Sequence, residues 1–326
     1  VSEPVLVRPA ADPASAAGRP LPPPRARRRR RVPLRPWLLL APGLAVIGVL
    51  LLYPLGRVVW LSFQDYGLRN VVSGEPNYNG LDNYVALLTD PFLWRVVLPN
   101  TIVFAVVAVG GTVVLGTLVA LLLRSLGPWW RTVVIGCVLV AWAMPAVTGT
   151  YVWIWIFDVD RGLVRQLLQA VGLVGPEGFN WFTERLSFYA IVTLNIVHHG
   201  FPFVAVTVLA GLLTIPRELT EAAMLDGANA WQRFWRVTVP TIRPVFAVVT
   251  ILSTIWDFKV FAQVYLMPGG GGTNPEVFNL GVWSYVRSFA QQSYGLGSAV
   301  AVLLTLMLLV ITIGYLRAVF RDEELR

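Results

Sequence analysis

Thr214 to Pro244 reads TIPRELTEAAMLDGANAWQRFWRVTVPTIRP, and it decides the fold through what it interrupts. The apolar runs on either side, Ser187 to Leu213 and Pro244 to Leu266, are each long enough to cross a bilayer core of roughly 30 Å. A helix needs only about 20 residues for that, at about 1.5 Å each. Four more runs of the same kind extend from Trp37 to Leu61, Val96 to Leu123, Thr132 to Phe157 and Leu296 to Leu316. The pattern predicts an all-α, polytopic membrane helix bundle of six transmembrane helices. Composition agrees: the 326 residues are 56% hydrophobic and 13% charged, against about a quarter charged in a soluble domain. Thirteen tryptophans suit a protein with two wide bilayer interfaces.

Charge places the loops. Seven arginines (Arg25, Arg27, Arg28, Arg29, Arg30, Arg31 and Arg35) stand immediately before the first apolar run, a juxtamembrane cluster rather than a groove for nucleic acid. With that tail inside, the tail, the turn from Arg124 to Arg131, the loop 214–243 and the C-terminus together hold 18 of the 26 basic residues. The outer loops instead carry acids such as Asp65, Asp82, Asp90, Asp158 and Asp160. By the positive-inside rule both termini are cytoplasmic. Residues 1–35, rich in Pro, Ala and Arg, lack the apolar content to fold and read as a disordered cytoplasmic tail ahead of a transmembrane domain, 36–326. A cleaved signal peptide fits less well, because the apolar run that follows is too long for one. One cysteine, Cys137, excludes an intrachain disulfide and a cysteine-based metal cluster.

About thirty residues in the loop 214–243 exceed what two adjacent helices require, so the loop expects a partner. Pro216 and Glu218 suit a helix start, and Gly227 suits its end. A second short helix is expected from Ala230 to Val237, closed before Pro240. Met224, Leu225, Trp231, Phe234 and Trp235 are too apolar to stay in water; they pack on the bundle or fill a partner's groove.

Glu221-Ala222-Ala223, three residues, Gly227, nine residues, then Val237, Val239 and Pro240 resembles the EAA loop of permeases from binding-protein-dependent ABC importers. That family usually has Ile and Leu where Val237 and Val239 stand, both apolar exchanges. GLDNYVALLTDPFLW (Gly80 to Trp94), Pro99-Asn100-Thr101 and YLMPGGGGTNPEVFNLGVWSYVRSFA (Tyr265 to Ala290) with YGLGSAVAVLL resemble the carbohydrate, maltose-type branch. The resemblance implies a bacterial inner (cell) membrane subunit working with a second homologous permease, cytoplasmic ATP-binding subunits and an extracellular solute-binding protein, all in membrane lipid. It also implies a docking role for the EAA loop. Glu221 would make the polar contact with the ATPase, Ala222 and Ala223 would allow close approach, Gly227 would set the turn, and Asp226 would add a second polar contact.

The chain is not expected to be an enzyme. A phosphate cradle of the form G-x-x-x-x-G-K-[ST] is absent, and the one lysine, Lys259, follows Trp256, Asp257 and Phe258. ATP and Mg would therefore sit on a partner ATPase, with no cofactor or metal held here.

Asp257 and Lys259 fall within the fifth apolar run, where a lipid-facing charge costs about 2.5 to 3.5 kcal/mol. They should face the bundle or a water-filled path. Two positions apart on a helix, they do not face one another. Asn195, His198 and His199 on the fourth run, and Trp256 beside Asp257, complete the candidate substrate path; the His pair equally suits an interhelical hydrogen bond. Trp153 and Trp155 read first as interface anchors. The competing function is an ion-coupled secondary transporter in which Asp257, Lys259 and His198 form a proton relay. Such folds usually carry internal repeats, and none is evident here.

Overall fold

The computed structural model describes residues 34–321 other than 174, 176–178 and 270–271. The expected tail therefore lies almost wholly outside the described residues. The described residues divide into two units, the first ending at Leu52 and the second beginning at Tyr53. In the first, α1 (Leu34–Ile47) is followed by a π-helical turn, Gly48–Leu52. The second runs from α2 (Tyr53–Leu61) through α3 (Leu68–Ser73) and α4 (Asp82–Thr89) to α5 (Leu98–Ser125). Then come α6 (Pro128–Trp142), α7 (Ala146–Ile156), α8 (Leu163–Ala170) and α9 (Arg185–Leu213). The inner loop holds α10 (Arg217–Leu225), α11 (Ala230–Arg233) and α12 (Val239–Thr241). Last are α13 (Arg243–Phe258), α14 (Ala262–Leu266), α15 (Leu280–Tyr285) and α16 (Tyr294–Arg321). Regular structure among the described residues is helical throughout.

Five stretches are long and apolar enough to span a bilayer: Leu39–Leu61, Leu93–Ser125, Arg185–Leu213, Arg243–Leu266 and Tyr294–Ala318. The single helix expected from Thr132 to Phe157 is instead two, α6 and α7, bent by 91°. Pro145 is the cause: it offers no N–H, and its ring drives Met144 away from helical backbone. At 15 and 11 residues neither piece crosses alone.

The pair still makes one crossing, because of how its neighbours pack. Small residues Thr101, Ala105, Ala108, Thr112, Gly116 and Ala120 form a buried stripe on α5, and α9 lies against it with bulky Val192, Ile196, Val204 and Val208. Small side chains let two backbones approach closely where lipid supplies no hydrophobic drive. A Cβ added at Gly116 would stand 2.6 Å from Val204. Phe104 meets Tyr189, Thr112 meets Gly200, and Gly116 meets Val204, so both helices run in the same direction. The chain leaving α5 must recross the bundle before α9 begins, and α6 with α7 carries it. Helix α13 runs opposite to α9: Gly211 lies against Val245, and Phe203 against Trp256.

The ends of α5, α9 and α13 that adjoin Arg124, Arg217 and Arg243 therefore lie together at one end of the bundle. At the other end, Asn100 on α5 ties down the segment before α15. Its Nδ2 donates to the carbonyls of Glu276 and Phe278 at 2.9 Å each, while its Oδ1 accepts from Arg185 Nε at 2.6 Å. Thr101 Oγ1 accepts from Leu280 N–H, and Tyr189 Oη donates to the Val277 carbonyl. The Pro99-Asn100-Thr101 motif is thus a latch on a loop more than 170 residues away.

Candidate functional site

Two features bring together the residues that sequence reasoning singled out: a cavity among α6, α7, α9 and α13, and the exposed loop at the arginine-rich end.

The cavity exists because two spans are broken at the same place. Span three breaks between Trp142 and Ala146. Span five breaks after Phe258, so Lys259 is not on the helix that carries Asp257, contrary to the continuous run expected there. The backbone oxygen freed at Val260 is taken by Asn279 Nδ2 at 2.8 Å. Irregular backbone at membrane depth persists only where protein or an aqueous cavity satisfies it.

Between the breaks lies a cavity of about 660 Å³, lined among others by Trp142, His199, Trp256, Asp257, Lys259 and Gln263. A smaller one of about 110 Å³ is lined by Asn195, His198, His199, Gln263 and Trp153. Ala146, His199 and Gln263 belong to both walls, so the two adjoin. All six candidate path residues (Asn195, His198, His199, Trp256, Asp257 and Lys259) line one or the other.

Their settings differ. Asp257 is 6% exposed, and its Oδ2 is buried without a hydrogen-bond partner among the described residues. Such an oxygen costs about 1 to 3 kcal/mol to leave unpaired. Lys259 is exposed, and His198 tilts against Trp153, ring centroids 5.9 Å apart. Neither imidazole hydrogen-bonds to another span among the described residues, which removes the interhelical bond considered for the pair. Trp142 stacks on Phe203, which meets Trp256 edge-on at 4.9 Å, giving the cavity an aromatic wall. Trp155 is exposed as an interface anchor would be, whereas Trp153 is part of the small cavity wall. Sequence reasoning passed over Gln263, although a buried amide in an apolar span is itself a signal. Trp142 gave no such signal.

The loop is built from local chemistry. Helix α10 ends at Gly227, whose φ of +76° is the left-handed turn that favours glycine. Gly227 N–H bonds to the Met224 carbonyl at 3.0 Å and Ala228 N–H to the Ala223 carbonyl at 2.9 Å, the two bonds of a Schellman stop. Asn229 and Gln232 then cap each other's backbone to start α11. The second helix does not close before Pro240. It continues through a π-helical turn, Phe234–Thr238, into α12, the wider turn standing immediately ahead of Pro240, which has no N–H to give the ladder. Glu221, Ala222 and Asp226 are exposed and Ala223 is half-buried. Leu225 is 89% exposed and Trp231 70%, the latter edge-on to Trp235 with ring centroids 5.6 Å apart.

Residues 112–322 match the family model for the binding-protein-dependent transport system inner membrane component. This chain belongs to that family. As a permease subunit it is 40% identical over 291 residues to the diacetylchitobiose uptake system permease protein DasB of Streptomyces coelicolor, covering 89% of this chain and 88% of that one. It is 32% identical to the trehalose/maltose transport system permease protein MalF of Thermococcus litoralis, over 86% of this chain and 92% of that one. Its fold superposes with a TM-score of 0.73 on a bacterial ABC transporter that imports the acidic polysaccharide alginate, at 20% identity over 88% of this chain and 96% of that one. The permease is a multi-pass membrane protein of an importer, and the ion-coupled relay loses its support.

Proposed function

We propose that this permease forms half of the membrane path for a sugar or short oligosaccharide. Its second half is a homologous permease, and hydrolysis of ATP with Mg occurs on cytoplasmic ATP-binding subunits. The observation that carries the substrate class is the cavity between the two broken spans. Indole faces there suit the apolar C–H faces of a sugar ring, and Asp257, His199 and Gln263 supply acceptors and donors for its hydroxyls. Two relatives with this architecture are named for diacetylchitobiose and trehalose/maltose uptake.

The arginine-rich end is the cytoplasmic one by the positive-inside rule, which puts both termini inside and the latched loop toward a solute-binding protein outside. The loop 214–243 is the ATPase dock. Helix α10 presents Glu221, Ala222 and Leu225 as a short helix fit for a groove, with Asp226 and Gly227 at its corner.

The test is reconstitution with the partner subunits and binding protein in proteoliposomes, measuring ATP-dependent uptake of labelled diacetylchitobiose, trehalose and maltose. Uptake of at least one sugar is expected, with loss in Asp257→Asn while the complex still assembles. Uptake driven by an ion gradient through this chain alone would overturn the proposal.

A further inference from the structure

A third hollow lies apart from the sugar path, where the loop 214–243 faces α5. It is a groove of about 880 Å³ between α5 and the α11 region, within the range of about 300 to 1,000 Å³ typical of small-ligand sites. On α5 its wall is one helical face, Val113, Val114, Thr117, Leu118, Leu121 and Arg124. That face is apolar until Arg124 and then positive. Across from it stand Arg233, Trp231 and Trp235, and no acidic residue lines the groove.

Length and charge point to the occupant. From Val113 to Arg124 the helix rises about 16 Å, the depth of one leaflet in a core of about 30 Å. Indoles beside Arg124 and Arg233 mark that end as the membrane surface. Neither guanidinium has a carboxylate partner among the described residues. Arg233 Nη1 donates to the Ala228 carbonyl at 2.9 Å, and the neighbouring Arg131 is committed to the carbonyls of Leu123, Arg124 and Leu126, so neutral carbonyls and no counter-charge meet these cations. A protein helix filling the apolar part would leave both cations without a counter-charge unless it brought carboxylates to that depth. A phospholipid carries its negative charge at the same distance from its tail.

We propose that this groove holds one anionic phospholipid of the leaflet on the loop's side, with tails along α5 and phosphate between Arg124 and Arg233. It is a membrane-derived component of the permease that fills the gap between the loop and α5.

The test uses the full chain in mild detergent, equilibrated with equal amounts of phosphatidylglycerol and phosphatidylcholine of identical tails. Native mass spectrometry counts what is retained. The wild type should prefer phosphatidylglycerol, and the preference should fall about 25-fold in the double variant Arg124→Gln/Arg233→Gln, at about fivefold per guanidinium. Leu118→Trp, which fills the apolar part and leaves both arginines in place, should lower retention of both lipids. Equal phosphatidylglycerol retention in the wild type and the double variant overturns the proposal, as does undiminished retention in Leu118→Trp. So does a benzophenone side chain at position 118 that cross-links to a protein subunit, rather than to lipid, in the assembled importer.

Discussion

Leu225→Ala separates a docking surface from a merely untidy one. The side chain is 89% exposed, so the free permease gains almost nothing from it. Truncation removes three carbons from water-exposed surface, and such substitutions usually change folding stability by no more than about 0.5 kcal/mol. If α10 seats in a groove of the ATP-binding subunit, those carbons are buried in the complex. At about 0.8 kcal/mol per buried carbon their loss costs about 2 kcal/mol of association, or about 30-fold in Kd. Two assays are needed: thermal unfolding of the permease alone, and titration of the purified ATP-binding subunit onto permease in nanodiscs. The reasoning requires unchanged unfolding with weakened association. Unchanged association, with sugar uptake at the wild-type level, would refute the placement of Leu225 in the interface.

Other substitutions probe the frame and the path. Gly116→Ala places a methyl 2.6 Å from Val204 and should destabilise by about 1 to 3 kcal/mol, while Gly110→Ala, with open space around it, should not; matched thermal melts decide. Asn100→Ala breaks three hydrogen bonds at the latch and should lower stability by about 3 kcal/mol, read by the same melts and by faster proteolysis near Glu276. Asp257→Asn relieves a buried, unpartnered carboxylate oxygen and should raise the melting temperature while uptake falls at least about tenfold, a trade of stability against function; uptake at the wild-type level would remove Asp257 from the path. Gly227→Ala forces a side chain into left-handed backbone, costing about 1 to 2 kcal/mol, and should weaken ATPase association without altering sugar affinity of the binding protein.

Much of the frame was legible because membrane helices announce themselves by composition. The runs that became α5 and α9 needed only their length. The Gly227 turn was legible because its chemistry is local, a glycine closing a short helix two residues before an Asn that caps the next. Other features depended on distant partners. Pro145 stood in plain view, yet apolar residues on both sides averaged the break away and a bend of 91° read as one span. Lys259 was expected on the helix of Asp257, because nothing nearby declares that Asn279 will take the Val260 carbonyl and let the helix stop. Asn100 gave no hint of its role, since the groups it holds are more than 170 residues away.

The corner at Gly227 also has a mechanical meaning. Two backbone bonds on one side of it and a reciprocal cap on the other make a stiff elbow, joined to α9 through the short turn 214–216 and to α13 through Ile242. Force applied at the elbow is delivered to two oppositely directed rods rather than absorbed in slack chain. Asp257 sits about 21 Å along α13 from Arg243. If that end serves as pivot, a swing of about 10° sweeps the carboxylate through about 4 Å, more than the length of a hydrogen bond. On the proposed path, a small stroke at the surface therefore suffices to make or break the contact between Asp257 and a bound sugar.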